Sequence, residues 1–308
     1  MIILQFPGQG SQAIGMGAAL ANEFPIAKAI FAEVDDALGQ NLSSLMSEGP
    51  IETLTLTENA QPAIMAASIA LLKVFEAEFG FDISVAKYVA GHSLGEYTAL
   101  TAARAFTLSD CAKLLKLRGQ AMQRAVKAGE GAMASLIGPK VDIALAETAA
   151  LEGAKQGICV VANDNNNGNV VISGEKAAVD AAIEAAKAMG ARAIPLAVSA
   201  PFHCPLMASA AEEMRAALDG VAMQSPVVPL VPNISLEPTQ DVAIIKSLLV
   251  EQVTGRVRWR ETIEMFGKLG VSKFVEIGSS AVLTGMSKRI FSDAQHISIC
   301  SIDDMRNY

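Results

Sequence analysis

Val85-Ala86-Lys87-Tyr88-Val89-Ala90-Gly91-His92-Ser93-Leu94-Gly95-Glu96-Tyr97-Thr98-Ala99-Leu100 runs from a strand-like apolar segment through a Gly-x-Ser-x-Gly turn into a helix of small residues. A strand-to-helix turn of this kind is a nucleophile elbow, in which glycine two places either side of the serine leaves room for backbone that a Cβ would block. Gly91, Ser93 and Gly95 meet that demand. Ser93 also falls at a helix N-terminus, where free N–H groups and the helix dipole can hold negative charge developing on a substrate oxygen. The Leu94 N–H is therefore a candidate oxyanion donor. A pattern with three fixed letters also arises by chance, and the flanking strand and helix set this one apart.

Working outward, the 308-residue chain is 51% hydrophobic and only 5% aromatic, which suits close helix-on-sheet packing in an α/β protein better than a β-sandwich. A length of this order buries one large core, or a core with a smaller lobe. The formal charge of −8 argues against nucleic acid or an anionic membrane as partner. Cys111, Cys159, Cys204 and Cys300 lack metal-ligand spacing and read as reduced thiols, with no metal expected. The N-terminal Met1-Ile2-Ile3-Leu4-Gln5-Phe6 has no signal-peptide pattern and no apolar run reaches membrane-spanning length, so a cytoplasmic protein is expected.

Before the elbow, Ile2 to Phe6 reads as a buried strand ending in Pro7-Gly8-Gln9-Gly10-Ser11-Gln12, a turn whose glycines admit close backbone approach to a ligand. Ile26, Ile30, Val34 and Leu38 recur at a helical interval, closed by Gly39. Thr57 to about Phe79 reads as a long buried helix with polar caps, and Thr107-Leu108-Ser109-Asp110 opens another that reaches about Val126. In this second helix Arg118 is flanked at i±3 and i±4 by Leu114, Leu115, Ala121 and Met122, which places a guanidinium on an apolar face. Such a cation needs an anion: a structural carboxylate, a snorkelling path to water, or the carboxylate of a substrate.

After the elbow region, strands at 132–137, 158–162, 170–173 and 193–196 alternate with helices at about 141–151 and 176–189 in the order β-α-β-β-α-β, a split βαβ or ferredoxin-like plan. The expected organisation is a large lobe over 1–129 and 198–308 with a small lobe inserted at 130–197. Asn163-Asp164-Asn165-Asn166-Asn167-Gly168 reads as a turn, and Asn163, at a strand end, can face a cleft between lobes. The return passes through Ser199-Ala200-Pro201-Phe202-His203-Cys204-Pro205, which two prolines stiffen. A strand at 227–231, a helix at 241–253, a basic turn Arg256-Val257-Arg258-Trp259-Arg260, a strand at 273–277 and a last strand at 297–302 follow.

A serine nucleophile needs a base, and the chain holds His92, His203 and His296. Successive side chains diverge, which counts against His92. The usual hydrolase order, with histidine last, points to His296 with an acid such as Asp241, whereas the braced connector at the lobe junction favours His203.

Phe6-Pro7-Gly8-Gln9-Gly10-Ser11-Gln12, Gly91-His92-Ser93-Leu94-Gly95-Glu96, Arg118 and Phe202-His203, taken together and in this order, resemble the malonyl-CoA:acyl-carrier-protein transacylase family over the length of the chain. The resemblance implies an α/β-hydrolase-like large lobe with a parallel sheet and an inserted ferredoxin-like small lobe. It implies Ser93 as nucleophile and His203 as base, with the N–H groups of Gln9 and Leu94 as oxyanion hole. Arg118 would grip the malonyl carboxylate, Phe202 would stand beside the acyl α-carbon, and the backbone carbonyl of Gln252 would orient the histidine. The implied reaction is ping-pong transfer of malonyl from malonyl-CoA to acyl carrier protein through a malonyl-serine ester, with no cofactor beyond the thioester, and the chain length with a single catalytic unit favours a monomer. The carrier is expected to be acidic and to dock on basic residues, for which Arg256, Arg258, Arg260, Lys288 and Arg289 are candidates. A serine esterase or thioesterase is the alternative, and it gives no reason for Arg118 in an apolar face.

Overall fold

The computed structural model describes residues 1–198 and 200–308; Ser199, the first residue of the connector, lies outside them. Eight strands are present among the described residues: β1 (Ile2–Phe6), β2 (Ala86–Gly91), β3 (Gly131–Ile137), β4 (Cys159–Asn166), β5 (Asn169–Glu175), β6 (Arg192–Pro195), β7 (Lys273–Ile277) and β8 (Gln295–Ile299). They form two sheets, ordered β2-β1-β7-β8 and β4-β5-β3-β6.

The first sheet is parallel throughout. Parallel strands covered by helices on both faces read as continuous apolar runs, and Ile3, Leu4, Phe6, Phe274, Val275 and Ile277 are all fully buried. The register pairs Phe6 with Gly91, so the Pro7–Gln12 turn and the elbow leave the sheet side by side. Ligands of parallel α/β sheets bind beyond the carboxyl ends of the strands, where these two loops lie. The helix Thr57–Phe79 packs in the core beside this sheet, buried on nearly every side, while the helix Leu108–Ala125 lies against it. Gly119 is required at their crossing, because a Cβ there would meet Glu58 Cα at 2.5 Å.

The second sheet is antiparallel, and its strands with the helices Ile143–Gly153 and Lys176–Ala188 follow the order β-α-β-β-α-β. Its own apolar cluster includes Leu136, Val170, Ile172 and Ala182. The two sheets are tied at β4, where the Asp164 N–H donates to the Val257 carbonyl at 2.9 Å and the Val257 N–H to the Ala162 carbonyl at 2.8 Å.

Several expectations are corrected. The segment 163–166 is strand, and only Asn167 and Gly168 make the turn, because Asp164 and Asn163 find ladder partners in β5. The segment 227–231 is no strand: Pro226, Pro229 and Pro232 remove ladder donors, leaving isolated bridges from Leu230 to Val89 and to Thr239. The long helix begins after Leu56, with no side-chain cap. The basic turn is the entry to a helix, Trp259–Lys268, and its arginines are paired: Arg256 with Glu147, Arg258 with Glu261, and Arg260 with both Asp164 and Glu264. No described helix is long and apolar enough to cross a membrane.

Candidate active site

The elbow is built as its glycines require. Ser93 holds φ 53°, in the left-handed region that side chains disfavour. A Cβ on Gly91 would come within 2.0 Å of the Gly95 backbone, and one on Gly95 within 2.3 Å of the Phe6 carbonyl oxygen. The turn therefore fits only when both positions lack a side chain. It presents Ser93 to a cleft of about 260 Å³ whose lining includes Gln9, Leu94, Arg118, Asn163, Phe202 and His203. A larger cleft of about 900 Å³ lies between Met16 and Glu48 and contains none of these residues.

His203 reaches the serine across 110 residues of sequence: its Nε2 lies 2.8 Å from Ser93 Oγ. Its Nδ1 faces two acceptors, the carbonyls of Gln252 at 2.9 Å and Gly255 at 3.1 Å. Two acceptors at Nδ1 place the proton there and leave the Nε2 lone pair toward the serine hydroxyl. Burial, helped by the Arg118 charge, pulls the His203 pKa down to about 3 against the pull of those carbonyls, so the ring is neutral at ordinary pH. No carboxylate contacts this imidazole among the described residues. The helix Val242–Thr254 supplies one of the two oxygens instead: the last carbonyls of a helix have no partner within it, and Gln252 lies in that last turn.

Neither of the other histidines meets Ser93 Oγ, although His92 also lines the cleft. His296 stacks on Phe274 and bonds the Phe291 carbonyl through Nε2 at 2.7 Å, and Asp241 caps a helix by accepting from the Ile244 N–H. His92 turns away from its neighbour to Asn165 Oδ1, at 2.9 Å.

Arg118 is 1% exposed, yet no carboxylate forms an ion pair with it among the described residues. Its Nη1 donates to Gln61 Oε1 at 2.7 Å, and its Nη2 to Gln252 Oε1 at 2.9 Å and to Ser93 Oγ at 3.2 Å. The guanidinium also stands 5.7 Å from the Tyr97 ring centroid. A permanent cation is thus held at the nucleophile by neutral acceptors, which leaves its charge available to an anion entering the cleft. The Gln9 and Leu94 N–H groups make no hydrogen bond among the described residues, as oxyanion donors must not.

Sequence reasoning missed three members of this constellation. Glu96, fully buried, accepts from the Asn233 N–H and from Gln252 Nε2. Burial pushes its pKa up to about 8, opposed by those two donors and by the Arg118 charge. Asn233 accepts the Ser93 N–H through Oδ1 at 2.9 Å and donates to the Gly91 carbonyl at 2.8 Å, clamping both sides of the elbow. Gln61 and Glu96 are polar residues in apolar helices, the signal that exposed Arg118. Asn233 sits in a proline-bounded loop with no local signal of its role.

A family model described as an acyl transferase domain matches residues 5–305. The chain belongs to the acyl transferase family. Among relatives of this acyltransferase, the malonyl CoA-acyl carrier protein transacylase of Haemophilus influenzae is 42% identical, across 96% of this chain and 93% of its own length. The protein of that name from Bacillus subtilis is 44% identical across 94% and 90%. Of solved structures, an acyl-carrier-protein-S-malonyltransferase from Bartonella henselae superposes with a TM-score of 0.96 at 50% identity, covering 99% of this chain and 97% of its own. A malonyl-transacylase in complex with a type II PKS acyl-carrier protein has a TM-score of 0.95 at 41% identity, covering 99% and 98%. The acyltransferase shares with these structures a mixed α/β fold containing a parallel sheet.

Proposed function

We propose that this acyltransferase moves the malonyl group of malonyl-CoA to the phosphopantetheine thiol of acyl carrier protein through a malonyl ester on Ser93. The observation that carries the reading is Arg118 Nη2 at 3.2 Å from Ser93 Oγ, with His203 Nε2 at 2.8 Å on the same oxygen. A nucleophile, a neutral base and a cation with no ion-pair partner among the described residues meet on one atom, which is what an acyl group with a free carboxylate demands.

In the proposed mechanism His203 Nε2 takes the Ser93 hydroxyl proton as Oγ attacks the thioester carbonyl. The new C–O bond leaves a tetrahedral oxyanion at the Gln9 and Leu94 N–H groups. Collapse breaks the C–S bond, and the coenzyme A sulfur departs with the proton from His203. The acceptor thiol then gives its proton to His203, attacks the ester, and regenerates Ser93. Gln252 and Gly255 hold the imidazole in the required tautomer, the place a carboxylate takes in a Ser-His-Asp triad. Arg118 binds the malonyl carboxylate through its paired N–H groups, Phe202 borders the α-carbon, and Asn163 lines the cleft on the side of the second sheet.

In this reading residues 1–129 and 198–308 form an α/β-hydrolase-like lobe and 130–197 a ferredoxin-like one, with the cleft between them. The enzyme acts in the cytoplasm as a monomer, without a cofactor beyond the thioester. Of the basic docking candidates, Lys288 and Arg289 are exposed and make no ion pair among the described residues, which favours them over the paired Arg256, Arg258 and Arg260 for an acidic carrier.

Incubation with labelled malonyl-CoA followed by intact-mass measurement tests the proposal. A malonyl adduct that a carrier thiol then collects supports it. Release of free malonate at the same rate with or without carrier supports an esterase instead, and no adduct or turnover leaves only a binding protein.

A further inference from the structure

Glu96 touches neither the cleft nor Ser93 Oγ, yet it lies one residue from two groups that do. Its carboxylate is fully buried on the first turn of the helix Gly95–Ala102, and each oxygen receives one N–H, from the Asn233 backbone and from Gln252 Nε2. The Gln252 side chain is shared three ways. Its Nε2 also donates to the Ser93 carbonyl at 2.9 Å, and its Oε1 accepts from Arg118 Nη2 at 2.9 Å. The backbone carbonyl of the same residue accepts from His203 Nδ1.

An amide has one end that accepts and one that donates. Arg118 can only donate and the Ser93 carbonyl can only accept, while the Glu96 oxygen facing Gln252 accepts from its Nε2 and the other is already taken by the Asn233 N–H. These signs allow one orientation of the Gln252 amide. We propose that Glu96 is a positioning residue for acyl transfer: by fixing which end of the Gln252 amide faces Arg118, it holds the guanidinium beside Ser93 and braces the helix end that directs His203. This inference rests on the acyl-transfer reading above.

Glu96→Gln is nearly isosteric and separates positioning from packing. The new amide oxygen meets the fixed Asn233 N–H, which turns its NH2 group toward Gln252 Nε2, donor against donor. Gln252 can relieve this by flipping, but then Nε2 faces Arg118 and Oε1 faces the Ser93 carbonyl. With the flip Arg118 loses an acceptor; without it the two opposed donors push the Gln252 amide, and the Oε1 that holds Arg118, out of place.

The test is a double-mutant cycle on the full-length enzyme, with malonyl-CoA as donor and holo acyl carrier protein as acceptor, thermal unfolding being recorded for each variant. Glu96→Gln should raise KM for malonyl-CoA and lower kcat/KM by about 10- to 100-fold. Partial misfolding would lower the apparent kcat and leave KM where it was. In a Gln252→Ala background, adding Glu96→Gln should cost less than about threefold, because the two act as one unit. An unchanged KM, or losses that multiply, overturns the proposal. Should Glu96→Gln fail to fold, Gln252→Glu gives the complementary view: it sets carboxylate against carboxylate, and adding Glu96→Gln to it should recover activity, whereas a further loss overturns the proposal. A wild type that forms no ester on Ser93 would reject acyl transfer itself; a wild type that forms it while Glu96→Gln performs equally would reject only the role of Glu96.

Discussion

Ser93 and His203, hydrogen-bonded at 2.8 Å, both hold a left-handed backbone, with φ of 53° and 57°. A side chain in that region costs roughly 1–2 kcal/mol, and such strain persists only where the surroundings enforce it. At Ser93 the enforcement comes from Asn233, which binds the N–H of Ser93 and the carbonyl of Gly91. The proposed nucleophile and base thus meet through two residues that the fold holds out of their preferred conformations.

Ser93→Gly is therefore expected to stabilise the protein while abolishing chemistry. Glycine adopts positive φ freely, and the gain should be about 1 kcal/mol. Differential scanning calorimetry should show a higher Tm and mass spectrometry no malonyl adduct. An adduct of undiminished yield on another residue would remove Ser93 from the mechanism.

Arg118→Ala should invert substrate preference. Its loss strands the malonyl carboxylate in a desolvated cleft at a cost of several kcal/mol, whereas acetyl-CoA has no carboxylate to strand. Malonyl transfer should fall by roughly a hundredfold or more and acetyl transfer should hold or rise. Arg118→Lys should restore only part, because an ammonium lacks the planar fork that reaches Gln61 and Gln252 at once. Equal losses for both thioesters, with circular dichroism unchanged, would make the arginine structural.

His203→Ala should lower acyl transfer by roughly a hundredfold or more, and His296→Ala should change it little. The pH dependence is diagnostic as well. Because the His203 pKa is depressed to about 3, the ring stays neutral as pH falls through the usual histidine range and is lost as a base only near that value. Single-turnover formation of the Ser93 ester should thus be nearly flat between pH 8 and pH 5. An inflection near pH 6.5 would mean that the base is an unperturbed histidine.

Phe202, buried and lining the cleft next to the base, is placed to exclude a branch on the acyl α-carbon. Phe202→Ser should raise the ratio of methylmalonyl to malonyl transfer, measured by competition between the two CoA thioesters. An unchanged ratio would put the α-carbon elsewhere.

The sequence by itself determined the features that depend on residues within a turn or two of one another. The glycines around Ser93 specify the elbow because the backbone crowding they relieve is local. Arg118 was legible because its i±3 and i±4 neighbours define its helix face. The alternation of strands and helices gave the β-α-β-β-α-β order of the second sheet, while the parallel sheet was expected from the family resemblance. Spacing and periodicity left the choice of histidine open, the resemblance pointed to His203, and the tertiary structure brings His203 to Ser93 across 110 positions. Tertiary structure decided that prolines at 226, 229 and 232 leave only isolated bridges where apolar residues read as a strand, and that the arginines at 256, 258 and 260 are drawn into ion pairs with acids up to 109 positions away. Glu96 and Asn233 are ordinary polar residues in sequence, and Gln252 was singled out only by the family resemblance. Their role arises because packing of the helix Val242–Thr254 and the loop before it against the elbow removes water from all three, leaving their donors and acceptors to one another, to Arg118 and to the elbow backbone.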